Sequence, residues 1–169
     1  NGYTICSGSW DNTICIWDIE TTKQSIVFKG HNNYVLSVKY GSNELGNSGG
    51  SNTILSGSSD KSVRLWDIRS GQEIQEFIGH MSSVNAVEYS SFIVDNKELG
   101  GSSNVICSGA EDNIIRFWDV RSNKRELYVI KGEARIMCLK FLKLKKNSKS
   151  NNVINLCYGS KNGSISIWG

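Results

Sequence analysis

"TILSGSSDKSVRLWDIRS", residues 53–70, sets the reading of the whole chain because it comes back. "TICSGSWDNTICIWDIET" (4–21) and "VICSGAEDNIIRFWDVRS" (105–122) align with it without a gap, and "NLCYGSKNGSISIWG" (155–169) is a weaker fourth copy. Trp17, Trp66, Trp118 and Trp168 fall 49, 52 and 50 residues apart. A second element recurs between them. "FKGHNNYVLSVKY" (28–40) matches "FIGHMSSVNAVEY" (77–89), and "IKGEARIMCLKF" (130–141) matches both less well. Self-similarity at a fixed period marks an architecture in which each repeat is one supersecondary unit.

Within each element the apolar residues recur every second position. Val63, Leu65 and the Trp66 region alternate with Ser62 and Arg64; Val35, Ser37 and Lys39 alternate with Leu36, Val38 and Tyr40. Short runs rich in Ile, Val, Tyr and Trp, bounded by Gly, Ser, Asn and Asp, read as strands and are too short for helices. The best unit offers four strands near 34–40, 53–57, 62–67 and 73–77, here called a, b, c and d in chain order. A four-stranded meander buries little by itself and needs neighbouring units to cover its faces.

Composition agrees with a folded domain. The 169 residues are 38% hydrophobic and 21% charged, outside the range of disordered chains. A net charge of +3 is small for a dedicated nucleic-acid binder. No apolar run approaches the roughly 20 residues of a membrane span, and the N-terminus lacks the apolar region of a signal peptide. The five cysteines are odd in number and form no CxxC pair. Cys6, Cys107 and Cys157 stand where residues 53–70 have Leu55, so the position reads as buried and apolar rather than as a disulfide framework. That usage leads to the expectation of a reducing, intracellular (cytoplasmic) setting. The chain starts at Asn1 and stops inside the motif at Trp168-Gly169, so a piece of a longer polypeptide is expected.

The order Gly30-His31, a strand, Ser56-Gly57 with Asp60, then Trp66-Asp67 resembles the WD40 repeat of β-propeller proteins, and the resemblance covers nearly the whole chain. The family repeat is about 40–45 residues. The excess sits between strands a and b, in "GSNELGNSGGSN" (41–52), "SSFIVDNKELGGSSN" (90–104) and "KLKKNSKSNN" (143–152). The resemblance implies an all-β fold: a partial WD40 propeller of about three to four blades of four-stranded antiparallel sheet, a fragment of a larger ring. Residues 1–169 then form a single domain with units 1–30 (partial), 31–79, 80–131 and 132–169 (partial). Family propellers usually close with about seven blades. The expectation is that the parent chain supplies the remainder, with a second copy as the weaker alternative.

Ser, His and Asp are also the ingredients of a hydrolase triad. By resemblance to WD40 proteins they belong instead to a hydrogen-bonded tetrad: His31, Ser56, Asp60 and Trp66 in one unit, His80, Ser108, Asp112 and Trp118 in the next, and Ser7, Asp11 and Trp17 in the first, whose His lies before the chain. The fourth unit has Glu133, Tyr158 and Asn162 in place of His, Ser and Asp, and Gly169 after its Trp, so no tetrad is expected there. Catalysis needs an exposed nucleophile beside an oxyanion hole. A set repeated in successive units reads as structural, and no catalytic residue is assigned. There is no GxxxxGK loop, "GNSGG" (46–50) lacks a strand–glycine–helix context, and His31 and His80 have no neighbours at ligand spacing. No metal or cofactor is expected.

In WD40 propellers the d–a and b–c loops lie on the top face, which binds partner proteins. By that resemblance the candidate contacts are Tyr34, Ser83 and Arg135 before strand a, and Trp10, Ser59 and Glu111 before the turn Asp, with Lys161 at the degenerate site. Tyr, Trp and Arg are the types enriched at binding hot spots. Trp10 has a second reading, packing against an adjacent loop. In the a–b inserts Leu45 or Phe92-Ile93-Val94 could form local anchors. The basic run Lys143, Lys145, Lys146 and Lys149 reads as a solvated loop, with phosphate or acidic-lipid contact as the alternative. No aromatic interleaves it, so nucleic acid and membrane are not the expected partners. The expected function is a non-enzymatic scaffold that binds proteins or peptides. The alternatives are a sensor or regulatory propeller of a larger signalling ATPase or ubiquitin-ligase chain, and a phospholipid- or RNA-contacting propeller. The fold does not choose among these.

Overall fold

A computed structural model describes residues 3–41, 52–90, 105–121, 126–144 and 153–169. The first sheet holds β1 (Thr4–Gly8), β2 (Thr13–Asp18) and β3 (Gln24–Lys29). The second holds β4 (Val35–Tyr40), β5 (Thr53–Ser58), β6 (Ser62–Asp67) and β7 (Gln72–Ile78). The third holds β8 (Val84–Tyr89), β9 (Val105–Ala110), β10 (Ile114–Asp119) and β11 (Glu126–Lys131), and the fourth β12 (Ile136–Leu144), β13 (Val153–Ser160) and β14 (Ile165–Trp168). Each sheet is an antiparallel meander in chain order, and the four sheets do not close into a ring. The b–c turns share one chemistry. The residue after the turn Asp or Asn is left-handed in all four: Asn12, Lys61, Asn113 and Gly163, with φ of 71°, 73°, 66° and 87°. The preceding side chain closes each turn by accepting the amide two residues on, at 2.9 Å for Thr13, 3.0 Å for Ser62, 3.1 Å for Ile114 and 3.1 Å for Ser164.

The core consists of three joints between successive sheets. Ile14, Ile16 and Phe28 of the first sheet meet Val35, Ile54 and Trp66 of the second. Leu55, Val63, Leu65 and Phe77 then meet Val84, Val87, Ile106 and Trp118, and Cys107, Ile115 and Phe117 meet Ile136, Leu139 and Leu156. Side chains on a strand alternate between faces, so Trp66 faces one joint while Val63 and Leu65 face the next. This corrects the alternation read in β6. Ser62 and Arg64 are buried like their neighbours, because the strand is covered on both faces. The buried Arg64 guanidinium is held by Glu73 at 2.7 Å and Glu76 at 2.6 Å. Strict alternation also fails in strand a. A bulge between Val35 and Ser37 turns Val35, Val38 and Tyr40 toward the same joint, and the same irregularity precedes Ala86 and Cys138.

Close approach of the sheets depends on the glycine of Ser-Gly. A Cβ on Gly57 would stand 2.7 Å from Val84 Cγ1 and 2.9 Å from Val87 Cγ1; one on Gly8 would stand 2.6 Å from Val35 Cγ1, and one on Gly109 would meet Ile136. The first apolar residue of each strand a therefore seats on the strand b glycine of the sheet before it. Gly57→Val forces that joint apart and is expected to cost about 1–3 kcal/mol, the usual cost of overpacking. Urea unfolding of the full chain checks it, and an unshifted midpoint would count against the seat. At the other end of strand a, Tyr40 donates to Thr4 at 3.2 Å and the Tyr89 hydroxyl bonds Thr53 at 3.0 Å, each reaching the preceding sheet. The third joint has Phe141 and Val105 at these positions, both packed on the core.

The outward faces of the end sheets remain bare. Trp17 is 36% exposed, against 2% for Trp66 and 1% for Trp118. Ile165 and Ile167 are 76% and 65% exposed, although their counterparts Val63, Leu65, Ile115 and Phe117 are buried. The five cysteines are free: Cys15 and Cys107 are buried, Cys6 and Cys157 half-buried, and Cys138 exposed. Leu45, Phe92-Ile93-Val94, Lys145, Lys146 and Lys149 lie outside the described residues.

Candidate functional site

In the second sheet four side chains form one chain of hydrogen bonds. Trp66 Nε1 donates to Ser56 Oγ at 2.8 Å, Ser56 Oγ lies 2.7 Å from His31 Nε2, and His31 Nδ1 lies 2.8 Å from Asp60 Oδ2. A carboxylate can only accept, so Nδ1 carries the proton and Nε2 accepts from the serine. The third sheet repeats the arrangement with Trp118–Ser108 at 2.9 Å, Ser108–His80 at 2.8 Å and His80–Asp112 at 2.9 Å. Backbone holds the carboxylates too, through Asn32 N to Asp60 and Met81 N to Asp112, both at 2.9 Å. The glycine before each histidine makes room for the ring below. A Cβ on Gly30 or Gly79 would stand 2.9 Å from Cη2 of Trp66 or Trp118.

The serine-to-histidine-to-aspartate distances are those of a hydrolase triad. Burial removes that chemistry: Ser56 and Ser108 are fully buried, and each already accepts a hydrogen bond from an indole N–H. An attacking oxygen needs an open approach and a free lone pair. In the first sheet Trp17 Nε1 donates to Ser7 at 2.9 Å, while Asp11 accepts from the Thr13 hydroxyl at 2.6 Å. In the fourth, Asn162 accepts from the Ser164 hydroxyl at 2.7 Å, and Trp168 packs on the Phe117 and Tyr128 rings at 6.0 and 5.7 Å. Sequence reasoning missed Ser62, whose hydroxyl donates to Asp60 at 2.7 Å. Its signal is a hydroxyl two residues after the turn Asp or Asn in three of four copies, at Thr13, Ser62 and Ser164.

Burial works to raise the Asp60 carboxyl, but the bonds from His31, Ser62 and the Asn32 and Ser62 amides outweigh it and hold it well below its ordinary value. Asp112 is lowered in the same way against burial, by the Met81 amide and His80. Desolvation lowers His80 below its ordinary 6.5 despite the opposing carboxylate. Stability contributed by the two carboxylates is fully present above their ordinary value of 3.8 and is lost as the pH falls through the folded values. His80 adds a loss beginning below 6.5, where the unfolded chain takes up a proton more readily than the folded chain. The urea midpoint is therefore expected to decline gently below pH 6.5 and steeply below 3.8. A midpoint that is flat down to pH about 3 would contradict the network.

The family described as WD domain, G-beta repeat matches residues 1–18, 22–67 and 71–119. The chain belongs to the WD40 family. Each four-stranded sheet is thus a propeller blade. The matched stretch 22–67 begins with strand d of one blade and ends with strand c of the next, so the family repeat laces neighbouring blades together. A comparison with curated proteins finds no match.

The loop-end residues pair within and across blades. Within a blade, Ser59 N donates to Tyr34 O at 2.9 Å, Glu111 N to Ser83 O at 2.9 Å and Lys161 N to Arg135 O at 2.8 Å, which puts the d–a and b–c loops at one end of the sheets. Across blades, Trp10 stacks on Tyr34 with ring centroids 5.0 Å apart and an interplanar angle of 14°. Two blade joints further on, Arg135 meets Glu111 at 3.4 Å. Trp10 does pack on an adjacent loop, yet it remains 74% exposed, and Tyr34 44%. The half-buried Ser59 and Ser83 hold the corresponding positions between these two pairs.

Proposed function

We propose that the chain is a non-enzymatic interaction scaffold whose loop end, carrying Trp10, Tyr34, Ser59, Ser83, Glu111, Arg135 and Lys161, binds a partner protein or peptide. WD40 repeats generally mediate protein–protein interaction. The observation that carries the reading to this end of the molecule is the Trp10–Tyr34 stack. A monomer gains little from leaving two large rings in water, whereas a preordered aromatic pair loses little entropy on binding. Trp10 and Tyr34 come from different blades, so the pair forms only when the blades are stacked. The bare Ile165–Ile167 and Trp17 faces favour further blades of a parent chain as the structures that cover them. The five free thiols suit an intracellular setting.

Alanine at Trp10, Tyr34 and Arg135 together is expected to abolish capture of the native partner in a pulldown from cells. The urea midpoint should fall only modestly, because Trp10 is 74% exposed and Tyr34 and Arg135 keep nearly half their surface in water. Unchanged capture by the triple variant would sink the proposal.

A further inference from the structure

We propose that the open face of the fourth blade receives a further blade whose strand a carries an acidic residue at one fixed position, opposite Lys140. That position is a rung running along the inner strands of the row. Lys39, Glu88 and Lys140 stand at the same place in the three strands a, paired with Leu55, Cys107 and Cys157 of the adjoining strands b. Leu55 and Cys107 face the following blade, so the rung residues beside them do too. The rung alternates in sign. Glu88 Oε2 lies 3.1 Å from Lys39 Nζ and 3.6 Å from Lys140 Nζ. With a lysine on either side, the Glu88 side chain is 12% exposed. Lys140 is 65% exposed and meets no other carboxylate among the described residues. Two lysines and one glutamate leave the rung at a net +1. An acid on the free side of Lys140 is therefore favoured, and another lysine there is repelled.

The other features of the three described joints continue onto the same face. Val35, Val84 and Ile136 each fill the seat over a strand b glycine, but a Cβ on Gly159 would meet only Cys138 Sγ, from its own blade. The counterparts of Cys138 touch the following blade: the Ser37 hydroxyl accepts the Val87 amide at 3.2 Å, and Ala86 packs in the joint with the fourth blade. Cys138 itself is exposed. Asn155 stands where Thr4 and Thr53 take the hydroxyls of Tyr40 and Tyr89. The strand that completes this face is thus a β-branched residue for the seat, an acid four positions on and a tyrosine next, the pattern of Val84, Glu88 and Tyr89. A second copy does not supply it. The bare sheet at the other end of the row is β1–β2–β3 and has no strand a among the described residues, so head-to-tail stacking leaves both seat and rung empty.

The test uses the chain's own blades as probes. Residues 68–119 or residues 19–67 are appended after Gly169 of the full chain. Either extension supplies a strand d for the fourth blade and strands a, b and c of a fifth; the first presents Glu88 to Lys140 and the second presents Lys39. Labelling of Cys138 by a thiol reagent, read by mass spectrometry, reports coverage of the face. Cys138 is expected to label about tenfold more slowly with the 68–119 extension than with the 19–67 extension, the cost of like charges on the rung. Lys39→Glu in the appended copy alone should bring the second extension to the level of the first. Equal labelling with both extensions, or no response to Lys39→Glu, overturns the inference. So does a Cys138 that stays as reactive in both as in the unextended chain. Concentration-dependent protection of Cys138 in the unextended chain, with a dimer by light scattering, assigns the face to a second copy and overturns it as well. The loop-end reading is untouched by any of these results and stands or falls on its own triple variant.

Discussion

Trp66→Ala is expected to remove about 3–5 kcal/mol of stability, the range for deleting a fully buried large aromatic. The indole lies 2% exposed in the joint between the first and second blades, with the Phe28 ring 5.7 Å away and the His31 ring at 5.8 Å. Alanine opens a cavity there and also strips Ser56 Oγ of its donor. Trp66→Phe separates the two losses, since it keeps most of the ring and forfeits only the hydrogen bond, worth about 1 kcal/mol. Trp17→Ala is the internal control. The same motif position at the bare face of the first blade should lose far less. Urea denaturation of the three variants decides it, and equal losses at Trp66 and Trp17 would show that the blade joint is not where the tryptophan acts.

Asp60→Ala is the second large effect, about 3 kcal/mol, toward the upper end of the cost of leaving buried partners unpaired. Four groups lose their acceptor together: His31 Nδ1, the Asn32 and Ser62 amides and the Ser62 hydroxyl. Asp112→Ala should cost a similar amount, and the two tetrads share no member, so the double variant is expected to be nearly additive. About 6 kcal/mol is comparable to the whole stability of many domains, so the double variant should be unfolded at neutral pH by circular dichroism. Asp11→Ala should be much milder, since its side chain closes only a turn. A folded double variant would contradict the tetrads as cohesive units.

Much of this was legible in the chain. The repeat, the four strands per unit and the tetrad positions could be read because each rests on local spacing: a hydroxyl on strand b, a carboxylate in the turn and an indole on strand c recur at fixed intervals. The polarity of Ser62 and Arg64 misled, because alternation signals one wet face and a stacked blade has none. The bulge before Ser37 was hidden for a different reason. A bulge shifts which residues share a face without changing composition.

The loop-end site was only half visible. Trp10, Tyr34, Glu111 and Arg135 could be picked out singly by position and residue type, but not as pairs. Trp10 is 24 residues from Tyr34, and Glu111 is 24 from Arg135. Each contact joins a turn of one blade to a loop of the next. Local spacing governs hydrogen bonds within a blade, so the repeat alone determined the architecture and the buried polar chains. Contacts between blades depend on how closely the sheets stack, which the strand b glycines permit and the strand a bulges aim. That packing decided which exposed residues stand together as a surface.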